Sequence, residues 1–176
     1  HTSDLVLVGY TLGACIALQY GLDYPDKVKG LVLMTVAMRS KQRSQEVLNM
    51  RLMAAENPAA YEEWWAFQQR AMTFVDVDLK ARLMERHRQI GPLSQYHDLV
   101  TIDKFDVHDR IHTLKPKLVL IRGVDDPGHP PEYELEIHQA VPGSRYITLA
   151  GAGHFPMAER PNEINRAIEE LLVSTT

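Results

Sequence analysis

The chain has 176 residues, of which 45% are hydrophobic and 24% are charged, a composition typical of one ordinary globular core. Its net charge of −4 at pH 7, without a basic stripe, argues against nucleic-acid and anionic-membrane partners, because such partners require cationic side chains that neutralise phosphates. The sequence contains no apolar run of about 18 residues, so it predicts no membrane-spanning segment. The single cysteine, Cys15, can form no disulfide within the chain, and we therefore expect a buried thiol in a cytoplasmic protein.

The first predicted element is an apolar strand, Leu5 to Val8, that stops at a glycine and continues as a helix. Residues 9–13 read Gly-Tyr-Thr-Leu-Gly. This is the G-x-S-x-G frame of a nucleophile elbow, the turn that presents a catalytic serine between a strand and a helix, except that Thr11 replaces the serine. The elbow holds its nucleophile at a strained positive φ, so small neighbours are expected, and Gly9 and Gly13 meet that need.

The middle of the chain changes from strand to helix periodicity. A second buried strand is predicted at Lys27 to Met34, and residues 39–107 then contain a series of amphipathic helices. A helical insertion between two strands predicts a lid over the core. Trp64 and Trp65 either pack the lid helices together or form an apolar wall over a substrate pocket, and the sequence leaves both interpretations open. The four predicted helices span Ser40 to Asn57, a stretch from Pro58 to about Met72, Leu79 to Ile90, and Leu93 to Leu99.

Two histidines just after the lid are spaced like metal ligands. His108 and His112 lie four residues apart, as in the H-E-x-x-H pattern of zinc proteases. However, Asp109 would have to replace the longer glutamate as the base, and no third ligand is apparent. We therefore predict no metal and no cofactor, and we interpret this segment as a turn before the next strand.

The last third of the chain again alternates strands and helices. Two adjacent carboxylates, Asp125 and Asp126, follow a buried strand that ends in glycine. A loop rich in glycine and alanine, residues 150–156, carries His154 at the carboxyl end of the final strand. Ligands collect at this edge of open parallel sheets, so these residues are candidates for a site. The predicted elements are strands at Lys117 to Gly123 and Arg145 to Leu149, and helices at Glu132 to Ala140 and Glu159 to Leu172.

The chain resembles the α/β-hydrolase superfamily in three stretches, 5–34, 117–131 and 145–161. The resemblance implies an α/β fold whose parallel sheet is represented by its second half, four strands side by side in chain order, with an inserted all-helical lid. It also implies a division of the chain into a core segment with the elbow at 1–38, a lid at 39–107, and a core segment with the acid and histidine loops at 108–176.

The resemblance further implies a catalytic triad in the order nucleophile, acid, histidine. Thr11 would be the nucleophile and His154 its base. In the family the acid follows the strand-ending glycine by three residues, which selects Asp126, with Asp125 as the alternative. The backbone N–H of Leu12 would donate to the oxyanion. Such a site would hydrolyse a small-molecule ester, lactone or related carbonyl. The expected substrate-binding residues are Tyr10, Trp64, Trp65 and Phe155.

Two features predict that this activity is impaired. Thr11 is β-branched, so it strains a turn at positive φ, and its methyl group competes for the space of the substrate carbonyl. The loop that supplies the second oxyanion donor in the family precedes the elbow and is not among these residues, and the loss of one donor costs roughly 10²–10³ in kcat. The alternative prediction is a non-catalytic binding or assembly protein on the same scaffold.

The first strand also predicts a partner. Leu5 to Val8 is apolar on both faces and lacks the charges and prolines that protect natural edge strands. We therefore expect it to pair with an upstream segment or with a second chain, as in a homodimer.

Overall fold

A single parallel sheet organises the protein in a computed structural model, which describes residues 4–40 and 45–175. All neighbouring strands run parallel, and they follow one another in chain order, β1-β2-β3-β4. This arrangement confirms the predicted parallel sheet of four strands. The strands are β1 (Leu5–Tyr10), β2 (Val28–Met34), β3 (Lys117–Gly123) and β4 (Arg145–Leu149).

The sheet is covered on both faces, because alternate side chains of its central strands point to opposite sides. One face of β2 and β3 packs against α1 (Leu12–Asp23), whose Ala14 and Leu18 are fully buried. The other face packs against α8 (Pro161–Ser174). The buried residues on the α1 side include Leu31, Leu33, Leu118 and Leu120, and those on the α8 side include Val32, Met34, Val119 and Ile121.

Among the described residues, four helices lie between β2 and β3, in the region where the sequence predicts a helical insertion. Asn57 caps the second of them by accepting from Ala59 N at 2.9 Å, and Asp76 caps the third by accepting from Asp78 N and Leu79 N at 3.1 Å. The start predicted at Ser40 for the first lid helix runs into residues 41–44, which lie outside the described residues. The helices are α2 (Gln45–Glu56), α3 (Pro58–Ala71), α4 (Val77–Ile90) and α5 (Pro92–Asp103).

The two ends of this helical insertion meet at its base. Arg39 and Asp106 form an isolated antiparallel bridge, Ser40 N donates to Phe105 O at 3.2 Å, and Val107 N donates to Met38 O at 2.8 Å. These bonds fix the points at which the insertion leaves the sheet and returns to it.

The end of the chain differs from the prediction. The final helix does not begin at Glu159, because Arg160 has a non-helical backbone (φ −137°, ψ 57°) and Pro161 follows it. The residue before a proline is biased away from the helical region, so the helix is split. The split leaves a single helical turn, α7 (Pro156–Glu159), directly before α8. The helix between β3 and β4 is α6 (Glu132–Ala140).

The strand β1 lies at one edge of the sheet and pairs only with β2 within the described residues. The side chain of Val8 is 47% exposed on this edge. The strand for which the sequence predicts a partner is therefore an apolar edge strand that is partly exposed to solvent.

The His108 segment forms a turn that leads into a 3₁₀ helix, Ile111–Thr113, before β3. His108 Nδ1 lies 3.0 Å from Asp109 Oδ1, and this pair is exposed. Within residues 4–40 and 45–175 no three His, Cys, Asp or Glu side chains are placed to hold a metal ion. In the same residues, no helix combines the length and the apolarity needed to cross a membrane.

Candidate active site

Thr11 occupies a strained turn between β1 and α1. Its backbone has φ 47° and ψ −115°, the positive φ expected of an elbow. Its N–H donates to Met34 O at 3.1 Å, and its carbonyl accepts from Ala14 N and Cys15 N at 3.0 Å. A β-branched residue rarely adopts such a φ, and strain of this kind costs about 1–3 kcal/mol. The surrounding backbone bonds hold Thr11 in place against that cost.

The two glycines of the elbow frame are not equivalent. A Cβ placed on Gly9 would lie 2.5 Å from Gly13 O and 2.6 Å from Ala14 Cα, so only glycine fits there. A Cβ on Gly13 would meet nothing within 4 Å outside the nearby helix backbone. The expectation that both positions need glycine for steric reasons is therefore wrong for Gly13, because its Cβ direction points away from the crowded side of the turn.

The acid loop and the histidine loop meet at the carboxyl ends of β3 and β4. His154 Nδ1 lies 2.8 Å from Asp126 Oδ2, and Asp126 is almost fully buried. Since Nδ1 faces a carboxylate, it carries the proton, and Nε2 is left as the acceptor of a neutral ring. Asp125 instead accepts from Gly151 N at 3.2 Å, so it is Asp126 that contacts the histidine.

The charge of Asp126 is maintained by its neighbours. Burial raises the pKa of this carboxyl, but the hydrogen bond and the charge of His154, the amide of Gly128 and the charge of His129 together outweigh burial. The net effect lowers the pKa of Asp126 below its ordinary value of 3.8. The carboxylate is therefore ionised at neutral pH and can stabilise a protonated imidazole.

Tyr10 brings the elbow and the histidine loop together. Its ring centroid lies 5.7 Å from that of His154, at an interplanar angle of 72°, and 5.6 Å from that of Phe155. Burial and the charges of Asp126 and Glu159 raise the pKa of Tyr10 well above its ordinary value, so its phenol stays protonated. Tyr10 immediately precedes Thr11, so the side chain in contact with the imidazole belongs to the residue next to the predicted nucleophile.

The other two aromatic residues expected to bind substrate lie on α3, in the helical insertion. Trp64 and Trp65 are buried in one cluster with Phe155, and Tyr10 packs against that cluster. The guanidinium of Arg51 lies 3.9 Å from the ring centroid of Trp64, which adds a cation–π contact. Burial of both indoles favours the packing interpretation, whereas Tyr10 and Phe155 are the expected residues that contact His154.

Sequence reasoning missed a carboxyl beneath the histidine loop. Glu159, on the single-turn helix α7, is buried, and its Oε2 accepts from Gly153 N at 2.6 Å. Burial raises the pKa of Glu159, and the amides of Gly153, Phe74 and Phe155 counteract part of this effect. Phe74 belongs to the connection between α3 and α4, so this carboxyl joins the histidine loop to the helical insertion. The sequence did offer one sign of this role, because Glu159 follows His154 by only five residues.

Comparison with known proteins agrees with this architecture. A profile of the Alpha/beta hydrolase family matches residues 1–167. A proline iminopeptidase of Lactobacillus delbrueckii subsp. bulgaricus is 24% identical over 193 residues, which cover 96% of this chain. The alignment spans 65% of that relative, so the present chain corresponds to somewhat less than two thirds of its length.

Solved structures give the same fold. A thermophilic esterase from Thermogutta terrifontis aligns with a TM-score of 0.73 and 25% identity, covering 99% of this chain and 66% of that one. An enol-lactonase from Burkholderia xenovorans LB400 aligns with a TM-score of 0.79 and 17% identity, covering 98% of this chain and 66% of that one. The sheet, the elbow and the family match together identify the chain as a member of the alpha/beta hydrolase family.

Proposed function

We propose that this chain carries the catalytic residues of a hydrolase that cleaves a small-molecule ester, lactone or related carbonyl. The observation that carries this proposal is the 2.8 Å contact between His154 and Asp126. It is supported by the φ of 47° at Thr11 and by the contact of the adjacent Tyr10 ring with His154. The lowered pKa of Asp126 supports it as well, because the acid of such a triad must stay charged beside the imidazole. The similarity to an esterase at 25% identity supports an ester-like substrate.

The proposed reaction begins at the hydroxyl of Thr11. Thr11 Oγ1 attacks the carbonyl carbon while His154 Nε2 takes the hydroxyl proton, and Asp126 stabilises the resulting imidazolium. The new bond converts the carbonyl oxygen to an oxyanion. His154 then returns the proton to the leaving alkoxide, and an acyl-enzyme remains. Water, deprotonated by the same imidazole, hydrolyses that ester and releases the acid.

The proposed oxyanion donor is the backbone N–H of Leu12. Leu12 is the first residue of α1, and the first N–H groups of a helix have no partner within the helix. The positive end of the helix dipole adds to their attraction for an anion. In the proposed site this N–H faces the developing charge, and a second donor would come from outside these residues.

Activity should rise when the methyl group of Thr11 is removed. We expect Thr11→Ser to hydrolyse a short p-nitrophenyl ester faster than the parent, by up to about a hundredfold, because relief of a misplacement near 1 Å has an effect of this size. Thr11→Ala is the control and should fall below both. Equal or slower turnover in a folded Thr11→Ser protein would contradict the proposal.

A second candidate function is binding without catalysis on the same scaffold. It is favoured by one observation, the β-branched Thr11 at a φ where such residues are rare. It predicts that Thr11→Ser leaves hydrolysis at the background level while an ester-like ligand still protects the protein against thermal unfolding.

We also propose that the edge of β1 is a pairing surface for a strand from an upstream segment or from a second copy of the chain. The strand is apolar, Val8 is half-exposed, and the outer backbone groups of an edge strand are free to bond. We expect the isolated 176-residue chain to self-associate in light scattering, and Val8→Lys to increase the monomer fraction. Val173→Lys, a change at an exposed position on α8, is the control. A monomeric parent chain with rapid amide exchange along β1 would contradict this proposal.

A further inference from the structure

Three buried ionisable side chains lie beneath the acid loop and take no part in the proposed reaction. They are Arg122 on β3, His129 in the loop after Asp126, and Glu134 on α6. The side chain of Glu134 is 0% exposed and that of His129 is 13% exposed. Burying charged groups costs free energy unless they are paired, so a set of this kind requires an explanation.

The imidazole of His129 ties the acid loop to two other parts of the fold. His129 Nε2 lies 3.0 Å from Glu134 Oε1 and 3.3 Å from Val36 O. Since the carbonyl of Val36 can only accept, Nε2 carries a proton and donates to it. The 3.0 Å contact with Glu134 is a close approach of the two side chains, in which Oε1 accepts no hydrogen bond from the described residues. The ring also packs 4.9 Å from that of Tyr133. The loop is thereby anchored to α6 on one side and to the segment after β2 on the other.

Glu134 is in turn held by the end of β3. Arg122 Nη1 lies 3.9 Å from Glu134 Oε2, and Arg122 Nε donates to Gly123 O at 3.1 Å. Gly123 is the last residue of β3, directly before the acid loop. Arg122 and Glu134 therefore attract each other as a buried ion pair beside His129, although neither Nη1 nor Oε2 makes a hydrogen bond among the described residues.

The backbone of His129 contacts the acid itself. Asp126 Oδ1 accepts from Gly128 N at 2.8 Å and from His129 N at 3.2 Å, while Oδ2 contacts His154. Both oxygens of the carboxylate are thus engaged, and this sets its rotation. A change in the position of His129 would move one of these amides and loosen the carboxylate.

We infer that His129, anchored by Glu134 and the carbonyl of Val36, is a positioning residue that orients Asp126 toward His154. This inference rests on the proposed function for its catalytic consequence. It goes beyond it in assigning a task to a second histidine that touches neither the nucleophile nor its base.

The test compares two amide side chains of different reach at position 129. The amide nitrogen of glutamine can replace Nε2 of the imidazole, whereas that of asparagine is too short to reach Glu134 or Val36. We expect His129→Asn to lower kcat by between about 10-fold and 100-fold with little change in KM, and His129→Gln to restore most of the loss. His138→Gln is the control, because His138 lies on the same helix as Glu134 and bonds Ser144 at 2.8 Å. Equal kcat in the two position-129 variants would overturn the inference.

A second measurement separates this inference from the proposed function, because it requires no activity. The carboxyl carbon of Asp126 is titrated by NMR, and amide exchange is followed at Gly128. Both position-129 variants lose the charge of His129, which helps to lower the pKa of Asp126, so that pKa should rise in both and rise further in His129→Asn. The Gly128 amide should exchange faster in His129→Asn and at close to the parent rate in His129→Gln. Glu134→Gln weakens the anchor from the other side and should act in the same direction. Unchanged titration and exchange in both His129→Asn and Glu134→Gln would overturn the inference, even in an active enzyme.

Discussion

Replacing Asp126 by asparagine should lower kcat for ester hydrolysis by about 10⁴-fold. The carboxylate fixes the proton of His154 on Nδ1 through a 2.8 Å contact and stabilises the imidazolium that forms during the reaction. An amide of the same shape keeps the packing but loses the charge, and its N–H group can turn toward Nδ1 and select the wrong tautomer. The measurement is kcat on a p-nitrophenyl ester, made in the Thr11→Ser protein so that a large loss remains measurable.

The matched control for this change is the neighbouring carboxylate. Asp125 accepts from Gly151 N and does not contact the imidazole, so Asp125→Asn should lower kcat by less than about tenfold. Comparable losses in the two asparagine variants, or a loss below tenfold in Asp126→Asn, would mean that the acid has been assigned to the wrong side chain.

The second large effect concerns stability at the elbow. Gly9→Ala should lower the free energy of unfolding by about 3 kcal/mol, because the new Cβ would lie 2.5 Å from Gly13 O and 2.7 Å from Ala14 N. These are backbone atoms at the start of α1, so the clash can be relieved only by moving the turn that holds Thr11. The measurement is urea unfolding followed by circular dichroism.

The other glycine of the same frame is the control. Gly13→Ala meets open space and lies inside α1, where alanine is favoured over glycine by roughly 0.5–1 kcal/mol. We therefore expect this change to leave stability unchanged or to raise it slightly. If the two alanine variants lose stability equally, the steric account of the elbow is incorrect.

The fold could be predicted well from the sequence because its strands are continuous apolar runs bounded by glycine or charged residues. Both central strands and the elbow turn are encoded locally in this way, and the chain order of the sheet followed from the family resemblance. The break between α7 and α8 was missed although Pro161 is visible in the sequence, because helical periodicity was continued across it. The helix α5 also extends beyond the predicted range, Leu93 to Leu99, and runs over Pro92–Asp103.

The candidate site could be predicted only in part. The sequence places Asp125 and Asp126 equally near the end of β3, and the direction of each side chain is decided by loop contacts, Gly151 for one and His154 for the other. Glu159 lies close to His154 in the sequence, and His129 lies close to Asp126, so proximity to the candidate residues could have marked both. Their bonds to Phe74 and to Val36 O join segments that are far apart in the sequence, so these contacts emerge only from the folded structure.

The most direct measurement of the proposed mechanism is to locate the covalent adduct that an active-site electrophile forms. The Thr11→Ser protein is treated with a fluorophosphonate, digested, and examined by mass spectrometry, with the same protein carrying His154→Ala as the control. The mechanism predicts one modified site, at position 11, whose labelling rate falls by several orders of magnitude when His154 is removed. Labelling elsewhere, no labelling at position 11 in a folded protein, or labelling at an unchanged rate without His154 would contradict it.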